Sequence, residues 1–175
     1  MKKDILTRVM FLAMIAVVSM TFTACGGDSD DDGIPQTPTG PTGSTEYFDP
    51  CLDFGCSQSN VKEYMSGSNW ELSEHSNEYT LLYMNSQGTI ALDYMFLNSK
   101  MHTVTATYVV SGESVALAFK AEIEKRYGVT MTKETDPSDV SQYVYHCTPT
   151  INQRSVAIMM TYAKQCINIL YSLSD

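Results

Sequence analysis

The chain has 175 residues, of which 43% are hydrophobic and 18% are charged, a composition typical of a globular protein rather than a coiled coil or a fully disordered chain. Eleven Lys and Arg residues against twenty Asp and Glu residues give a formal net charge of −9, which argues against nucleic acid or an anionic membrane surface as the partner. The length fits one domain with additional segments.

Residues 1–24 have the pattern of a lipoprotein signal peptide. Lys2, Lys3 and Arg8 form a basic start, and residues 9–22 are an uncharged apolar stretch, shorter than the about 20 residues that a membrane span needs. Residues 22–25, Phe-Thr-Ala-Cys, resemble the lipobox of bacterial lipoproteins. This resemblance implies that Cys25 is acylated, with palmitate among its acyl chains, and becomes the new N-terminus. A plain secretory signal and a single spanning helix are the alternative interpretations.

Residues 25–47 are predicted to be a disordered tether, acidic at first and then rich in Pro, Gly and Thr. Such a composition buries too little apolar surface to offset the entropy of ordering the chain. The acidic cluster after Cys25 resembles the surface-export signal of Bacteroidetes lipoproteins, which implies a lipid-anchored protein on the outside of the outer membrane.

The same acidic cluster has a second interpretation as a calcium loop. Asp28, Asp30 and Asp32 match the opening of an EF-hand loop, but Thr39 stands where the bidentate Glu is required. The prolines of the segment also disfavour the loop. We therefore expect no metal site in the tether.

Residues 48–175 are predicted to form a single domain whose possible halves are residues 48–111 and 112–175. In the first half, Ser57 is a candidate N-cap for a helix with Val61, Tyr64 and Met65 on one face. Three strands with alternating apolar residues are predicted after it, at residues 79–84, 90–96 and 104–110.

The second half repeats this order. A helix is predicted over residues 115–127, with Gly128 as its C-terminal cap, followed by strands at residues 142–147, 155–163 and 166–173, with a further candidate at 129–133. The sequence thus predicts an α+β fold, an antiparallel sheet built from two similar helix-plus-meander halves with helices packed on one face. The alternative is coincidence, since any two amphipathic meanders look alike.

This element order, together with Phe54-Gly55-x-Ser57 leading into a helix, resembles the β-lactamase-inhibitor-like architecture. In that architecture a helix layer covers one face of a broad antiparallel sheet. The resemblance implies a protein that binds other proteins.

A search for catalytic or metal-binding motifs finds none. His75, His102 and His146 are far apart and without metal-ligand spacing, and we expect each to be a surface or partly packed residue, with His102 on the strand face of Val104 and His146 on that of Val144. Nucleophile-elbow, phosphate-loop and zinc-protease motifs are absent from the sequence. We therefore expect a non-enzymatic protein without a cofactor. The alternative is a hydrolase whose site assembles only in three dimensions.

The eleven tyrosines are the unusual feature of the composition. On an exposed sheet face they could stack on sugar rings or anchor a protein partner. The alternative is that they are ordinary strand residues, since tyrosine packs well on a pleated surface. The strand tyrosines are Tyr79, Tyr83, Tyr94, Tyr108, Tyr143, Tyr145, Tyr162 and Tyr171.

Four cysteines remain after Cys25, namely Cys51, Cys56, Cys147 and Cys166. The meander places Cys147 and Cys166 at opposite ends of the sheet, about 25 Å apart at ~3.3 Å per residue, whereas a disulfide needs Cα atoms within about 7 Å. Two arrangements stay open. Either Cys51 and Cys56 form a local disulfide and the other two are buried thiols, or both N-terminal cysteines are linked to the sheet.

The sequence therefore predicts a lipid-anchored, exported, non-enzymatic binding module at the outer membrane, exposed at the cell surface, with no nucleic-acid partner. Its ligand is another protein or a glycan. The alternative function is a glycan-capture accessory lipoprotein that uses the strand tyrosines.

Overall fold

The structure is a computed structural model that describes residues 46–67, 69–136, 139–163 and 165–174. The predicted signal peptide, the lipidation site at Cys25 and all but the last two residues of the predicted tether lie outside the described residues.

Two helices and nine strands make up the described part of the chain. The helices are α1 (Gln58–Met65) and α2 (Glu113–Tyr127). The strands are β1 (Trp70–Leu72), β2 (Thr80–Asn85), β3 (Ile90–Leu97), β4 (Lys100–Val109), β5 (Thr132–Asp136), β6 (Asp139–Cys147), β7 (Thr150–Ile151), β8 (Arg154–Ala163) and β9 (Cys166–Leu173). This content is mainly sheet with some helix, and it agrees with the predicted α+β class.

The ends of both helices follow from local sequence. Ser57 is the N-cap of α1: its hydroxyl accepts a bond from the backbone N–H of Asn60, and the Asn60 side chain accepts one from the N–H of Ser57. Gly128 ends α2 in the left-handed conformation at φ 63°, which glycine adopts without steric cost. Both predicted caps are confirmed.

All nine strands pair antiparallel. Eight of them follow the spatial order β1-β2-β3-β4-β9-β8-β6-β5, and the short β7 pairs with β8. β4 and β9 meet in the middle of the sheet, where Val104 lies opposite Tyr171. The first strand of the second half, predicted at residues 129–133, begins later in the structure, where β5 starts at Thr132.

One face of the sheet, which we call the covered face, packs against both helices. The ring of Phe119 in α2 meets the ring of Tyr108 edge-on at 4.8 Å, and the Tyr94 hydroxyl donates to the sulfur of Met65 in α1 at 3.6 Å. The strand residues of this face are buried and form one core with the helices; they include Leu81, Tyr83, Ile90, Leu92, Tyr94, Val104, Ala106, Tyr108, Tyr143, Tyr145, Ile158, Met160, Ile167, Ile169 and Tyr171.

We call the opposite side of the sheet the uncovered face, because the helix contacts given above are all on the covered face. Its fifteen central residues are Thr80, Leu82, Met84, Ala91, Asp93, Met95, Thr103, Thr105, Thr107, Ala157, Met159, Thr161, Asn168, Leu170 and Ser172. Glu71 of β1, Glu134 of β5 and Val144 and His146 of β6 lie on the same face. Most of these side chains are half-buried by their neighbours in the sheet.

Candidate functional site

The N-terminal segment, residues 46–57, crosses the covered side and is held there by tyrosine hydroxyls. The Tyr108 hydroxyl donates to the carbonyl of Phe48 at 3.1 Å and accepts from its N–H at 3.3 Å. The N–H of Cys51 donates to the Tyr94 hydroxyl at 3.1 Å. The backbone of this segment is irregular and runs over the covered face, where no neighbouring strand can bond to it. The phenol hydroxyls supply the hydrogen-bonding partners instead.

A second set of bonds fixes the start of this segment against α2. The hydroxyls of Tyr47 and Tyr171 lie 2.7 Å apart, and the Tyr127 hydroxyl donates to Asp49 at 2.8 Å. Arg126 pairs with the other oxygen of Asp49 at 3.0 Å and stacks its guanidinium over the Tyr47 ring at 5.0 Å. The segment is therefore bound to both the sheet and α2.

Burial keeps these phenols protonated. Desolvation is the main cause that raises the pKa of Tyr47, and it raises the pKa of Tyr171 well above its ordinary value. Both groups stay neutral hydrogen-bonding partners at any physiological pH. Their chemistry fits a structural role rather than proton transfer.

Tyr108→Phe is expected to lower the free energy of unfolding by about 1–3 kcal/mol, because it leaves the N–H and carbonyl of Phe48 without their partner in a partly buried place. Urea denaturation followed by circular dichroism measures the change. Tyr79→Phe is the matched control, since Tyr79 is 66% exposed, and it is expected to stay within about 0.5 kcal/mol of the original. Equal effects of the two variants would show that the Tyr108 hydroxyl does not support the fold.

An open depression of about 350 Å³ lies beside this segment. It is lined by Glu46, Tyr47, Ala118, Phe119, Glu122 and Arg126. Arg126 pairs with Asp49 and with Glu122, each at 3.0 Å, so both of these carboxylates are held in ion pairs.

The strand tyrosines do not form an exposed aromatic surface. Six of those named above are buried on the covered face: Tyr83, Tyr94, Tyr108, Tyr143, Tyr145 and Tyr171. Tyr162 is half-buried, its ring 5.4 Å from that of Tyr143, and Tyr79 precedes β2 as a single exposed ring. The interpretation of these residues as strand packing residues fits this placement, and stacking of a sugar on them does not.

The three histidines lie apart, as expected. His75 is exposed in a turn, His102 contacts the hydroxyl of Thr103 at 3.0 Å, and His146 lies 3.1 Å from a carboxylate oxygen of Glu134. Among the described residues, no group of three or more His, Cys, Asp and Glu side chains could hold a metal ion.

The prediction that His102 shares a strand face with Val104 is wrong. Met101 lies opposite Phe96 and Thr103 opposite Met95, so the register shifts at this point and His102 is the extra residue of β4. Met101 and Val104 are both buried and His102 is exposed. His146 does lie on the face of Val144, opposite the buried Tyr145.

Among the fifteen central residues of the uncovered face one is charged, Asp93, and the outer strands add Glu71, Glu134 and His146 to the same face. Asp93 lies near its middle and accepts a hydrogen bond from the hydroxyl of Thr80. Desolvation raises the pKa of Asp93, and the bond from Thr80 partly opposes this. On the neighbouring strands β4 and β9, Thr107 donates to the side-chain oxygen of Asn168 at 2.8 Å. The other central side chains of this face are small, hydroxyl-bearing or aliphatic, with Met, Leu, Ala and Thr predominant.

The cysteines fall into two groups. The thiols of Cys51 and Cys56 hydrogen-bond to each other within the N-terminal segment. Cys147 faces the covered side with Tyr145, whereas Cys166 precedes the buried Ile167 and faces the other side. All four are free thiols in the structure.

Comparison with known proteins gives no relative: no family model, curated protein or solved structure matches this chain. Within the described residues, neither helix has the length and apolar character needed to cross a membrane. The resemblances to surface lipoproteins and to the β-lactamase-inhibitor-like architecture stay predictions from the sequence.

Proposed function

We propose that this protein is a lipid-anchored, exported binding module of the outer membrane, without enzymatic activity, that contacts a protein partner through the uncovered face. The anchor is argued from the sequence alone, from the lipobox-like residues 22–25 and the acidic cluster that follows Cys25. The mode of binding is argued from the sheet.

The observation that carries the binding proposal is the composition of the uncovered face. Protein interfaces are depleted in charged residues at their centre and enriched in methionine. Asp93 is the only charged side chain among the fifteen central residues of this face, and Met84, Met95 and Met159 are spread across them. Charged groups otherwise lie toward its outer strands, at Glu71, Glu134 and His146. A broad sheet surface with a weakly charged centre suits a protein partner better than a small molecule, which requires a concave pocket.

The attachment of the N-terminal segment supports the same proposal. Tyr47 is bound on the covered side, through the hydroxyls of Tyr171 and Tyr127. A chain that runs from residue 46 toward a lipid on Cys25 starts on that side of the sheet. Residues 46–57 therefore leave the uncovered face free for a partner.

We further propose that residues 48–111 and 112–175 are two similar units. The strand order β1-β2-β3-β4 on one side of the central pair is mirrored on the other by β9-β8-β6-β5, and a helix precedes each set of strands. Two units of the same helix-plus-meander type, joined through β4 and β9, account for this arrangement.

A photo-reactive amino acid at Leu170 tests the binding surface. Leu170 lies near the centre of the uncovered face, so irradiation of intact producing cells is expected to give a discrete higher-mass adduct of the full-length protein. Leu117 on the outer side of α2 is the matched control, because it is 46% exposed but lies on the helix side. Immunoblotting and mass spectrometry of the adducts measure the result.

The expected outcome is one partner captured from position 170 and none from position 117. Capture from position 117 alone would move the binding surface to the helix side and contradict the proposal. Adducts containing only polysaccharide at position 170 would favour glycan capture instead.

A further inference from the structure

The segment that carries Cys51 and Cys56 is already folded into a closed turn. The N–H of Cys56 donates to the carbonyl of Asp53 at 3.1 Å, and Gly55 at φ 90° takes the left-handed conformation that the turn requires. The two cysteine side chains meet across this turn and hydrogen-bond to each other.

Both ends of the turn are also fixed to the sheet. The N–H of Cys51 donates to the Tyr94 hydroxyl at 3.1 Å. On the other side, Gly55 donates to the carbonyl of Met101 at 2.8 Å, and Met101 donates to the carbonyl of Cys56 at 2.8 Å. The backbone on both sides of the two cysteines is therefore fixed by the fold, with their thiols in contact.

From this geometry we propose that Cys51 and Cys56 form a reversible disulfide that locks the N-terminal segment onto the covered side of the sheet. The oxidant is a disulfide of the thiol-oxidoreductase or glutathione type. One cysteine thiolate attacks the oxidant's S–S bond, which releases one thiol and leaves a mixed disulfide with the other sulfur. The second cysteine then attacks the mixed disulfide and releases the second thiol. An S–S bond forms in the protein, the oxidant's S–S bond breaks, and two electrons and two protons pass to its two sulfurs.

The remaining cysteines do not compete for this pairing. Cys147 is buried on the covered face at the end of β6, whereas Cys166 begins β9 and faces the opposite side of the sheet. Cys147 lies on β6, three strand positions from β4, whose Met101 is bonded to the turn, a separation of about 14 Å at ~4.8 Å per strand. A disulfide tolerates only about 7 Å between Cα atoms, so we take Cys51 with Cys56 as the pairing.

The lock acts through Phe54, which lies between the two cysteines. Phe54 is 2% exposed and belongs to the core, and its carbonyl accepts a bond from Arg154 of β8 at 2.8 Å. Detaching the segment requires the turn to open so that Phe54 can leave the core. A six-residue ring closed by a disulfide restricts the open forms of the turn and so favours the attached state.

The reactivity of the thiols sets the rate at which the lock closes. Burial raises the pKa of Cys51, and it raises the pKa of Cys56 to about 12. Because the thiolate is the reacting species, the folded dithiol reacts slowly at neutral pH. We therefore expect faster closure in the unfolded chain or at higher pH.

The experiment uses the full-length protein after incubation with glutathione disulfide at pH 8.5. The sample is quenched in acid, unfolded in the presence of N-ethylmaleimide and analysed by peptide mass mapping. We expect a peptide that contains Cys51 and Cys56 with an internal disulfide, while Cys147 and Cys166 carry the label. A Cys166→Ser variant, the matched control, is expected to give the same internal disulfide.

A label on Cys51 and Cys56 after prolonged oxidation, or a bond from either to Cys147 or Cys166, would overturn the pairing. The locking role is tested by amide hydrogen exchange at residues 48–56. Exchange in the oxidised protein is expected to be roughly tenfold slower, or more, than in the reduced protein. The Cys51→Ser/Cys56→Ser double variant is expected to show no response to oxidant, and equal exchange in both states of the original protein would overturn the lock.

Discussion

Phe119→Ala is expected to lower the free energy of unfolding by about 3–5 kcal/mol, the range for a large aromatic side chain removed from a core. Phe119 is 1% exposed, and its ring meets those of Tyr108 at 4.8 Å and Tyr47 at 6.0 Å, both edge-on. One side chain thus joins α2 to the sheet and to the N-terminal segment. Its removal leaves a cavity at the place where all three meet.

Urea denaturation followed by circular dichroism measures the stability of the whole fold. The fluorescence of Trp70, the only tryptophan of the chain, reports on the N-terminal segment, because its ring lies 4.7 Å from that of Phe48. Leu117→Ala, on the exposed side of the same helix, is the matched control and is expected to change stability by less than about 1 kcal/mol. A loss of similar size in both variants would mean that α2 does not pack through Phe119.

The regular elements could be predicted because their signals are local. Residues 90–96 alternate strictly, and the structure buries Ile90, Leu92 and Tyr94 on one face of β3. Ser57 and Gly128 mark helix ends through hydrogen bonding and backbone freedom that depend on a few neighbouring residues.

Features that depend on long-range pairing could not be predicted in this way. β1 contains three residues and pairs only with β2, so it has too few residues to show a period. The register shift near Met95 appears only when β3 and β4 are aligned, and it takes His102 off the strand face of Val104. Nothing in the sequence around Thr132 separates the start of β5 from residue 129.

The tyrosines show the same difference between local signals and long-range contacts. Alternation correctly grouped Tyr94 and Tyr108 with the apolar residues of their strands. Their hydroxyl partners are backbone groups of residues 48 and 51, more than forty positions away, and no local pattern indicates such contacts. For a related reason, the sequence does not show which face of the sheet stays uncovered. Alternation separates the two faces of a strand, but only the tertiary structure decides which one the helices cover.

Cys25→Ser is expected to abolish lipid attachment completely, because it removes the only acylation site of the lipobox-like residues 22–25 and leaves the apolar core of the signal unchanged. The variant should be released in soluble form or retained as an uncleaved precursor. The original protein should remain with the outer-membrane fraction, since several acyl chains add about 0.8 kcal/mol per buried methylene. Incorporation of labelled palmitate and fractionation of both proteins measure the effect.

Ser29→Ala, within the acidic cluster but outside the lipobox-like residues, is the matched control and should keep both the label and the membrane location. A wild-type protein that takes up no palmitate, or a Cys25→Ser protein that still does, would show that the lipoprotein assignment is wrong. A Cys25→Ser protein that loses the label but keeps a folded, urea-resistant domain would show that the sheet folds without the lipid anchor.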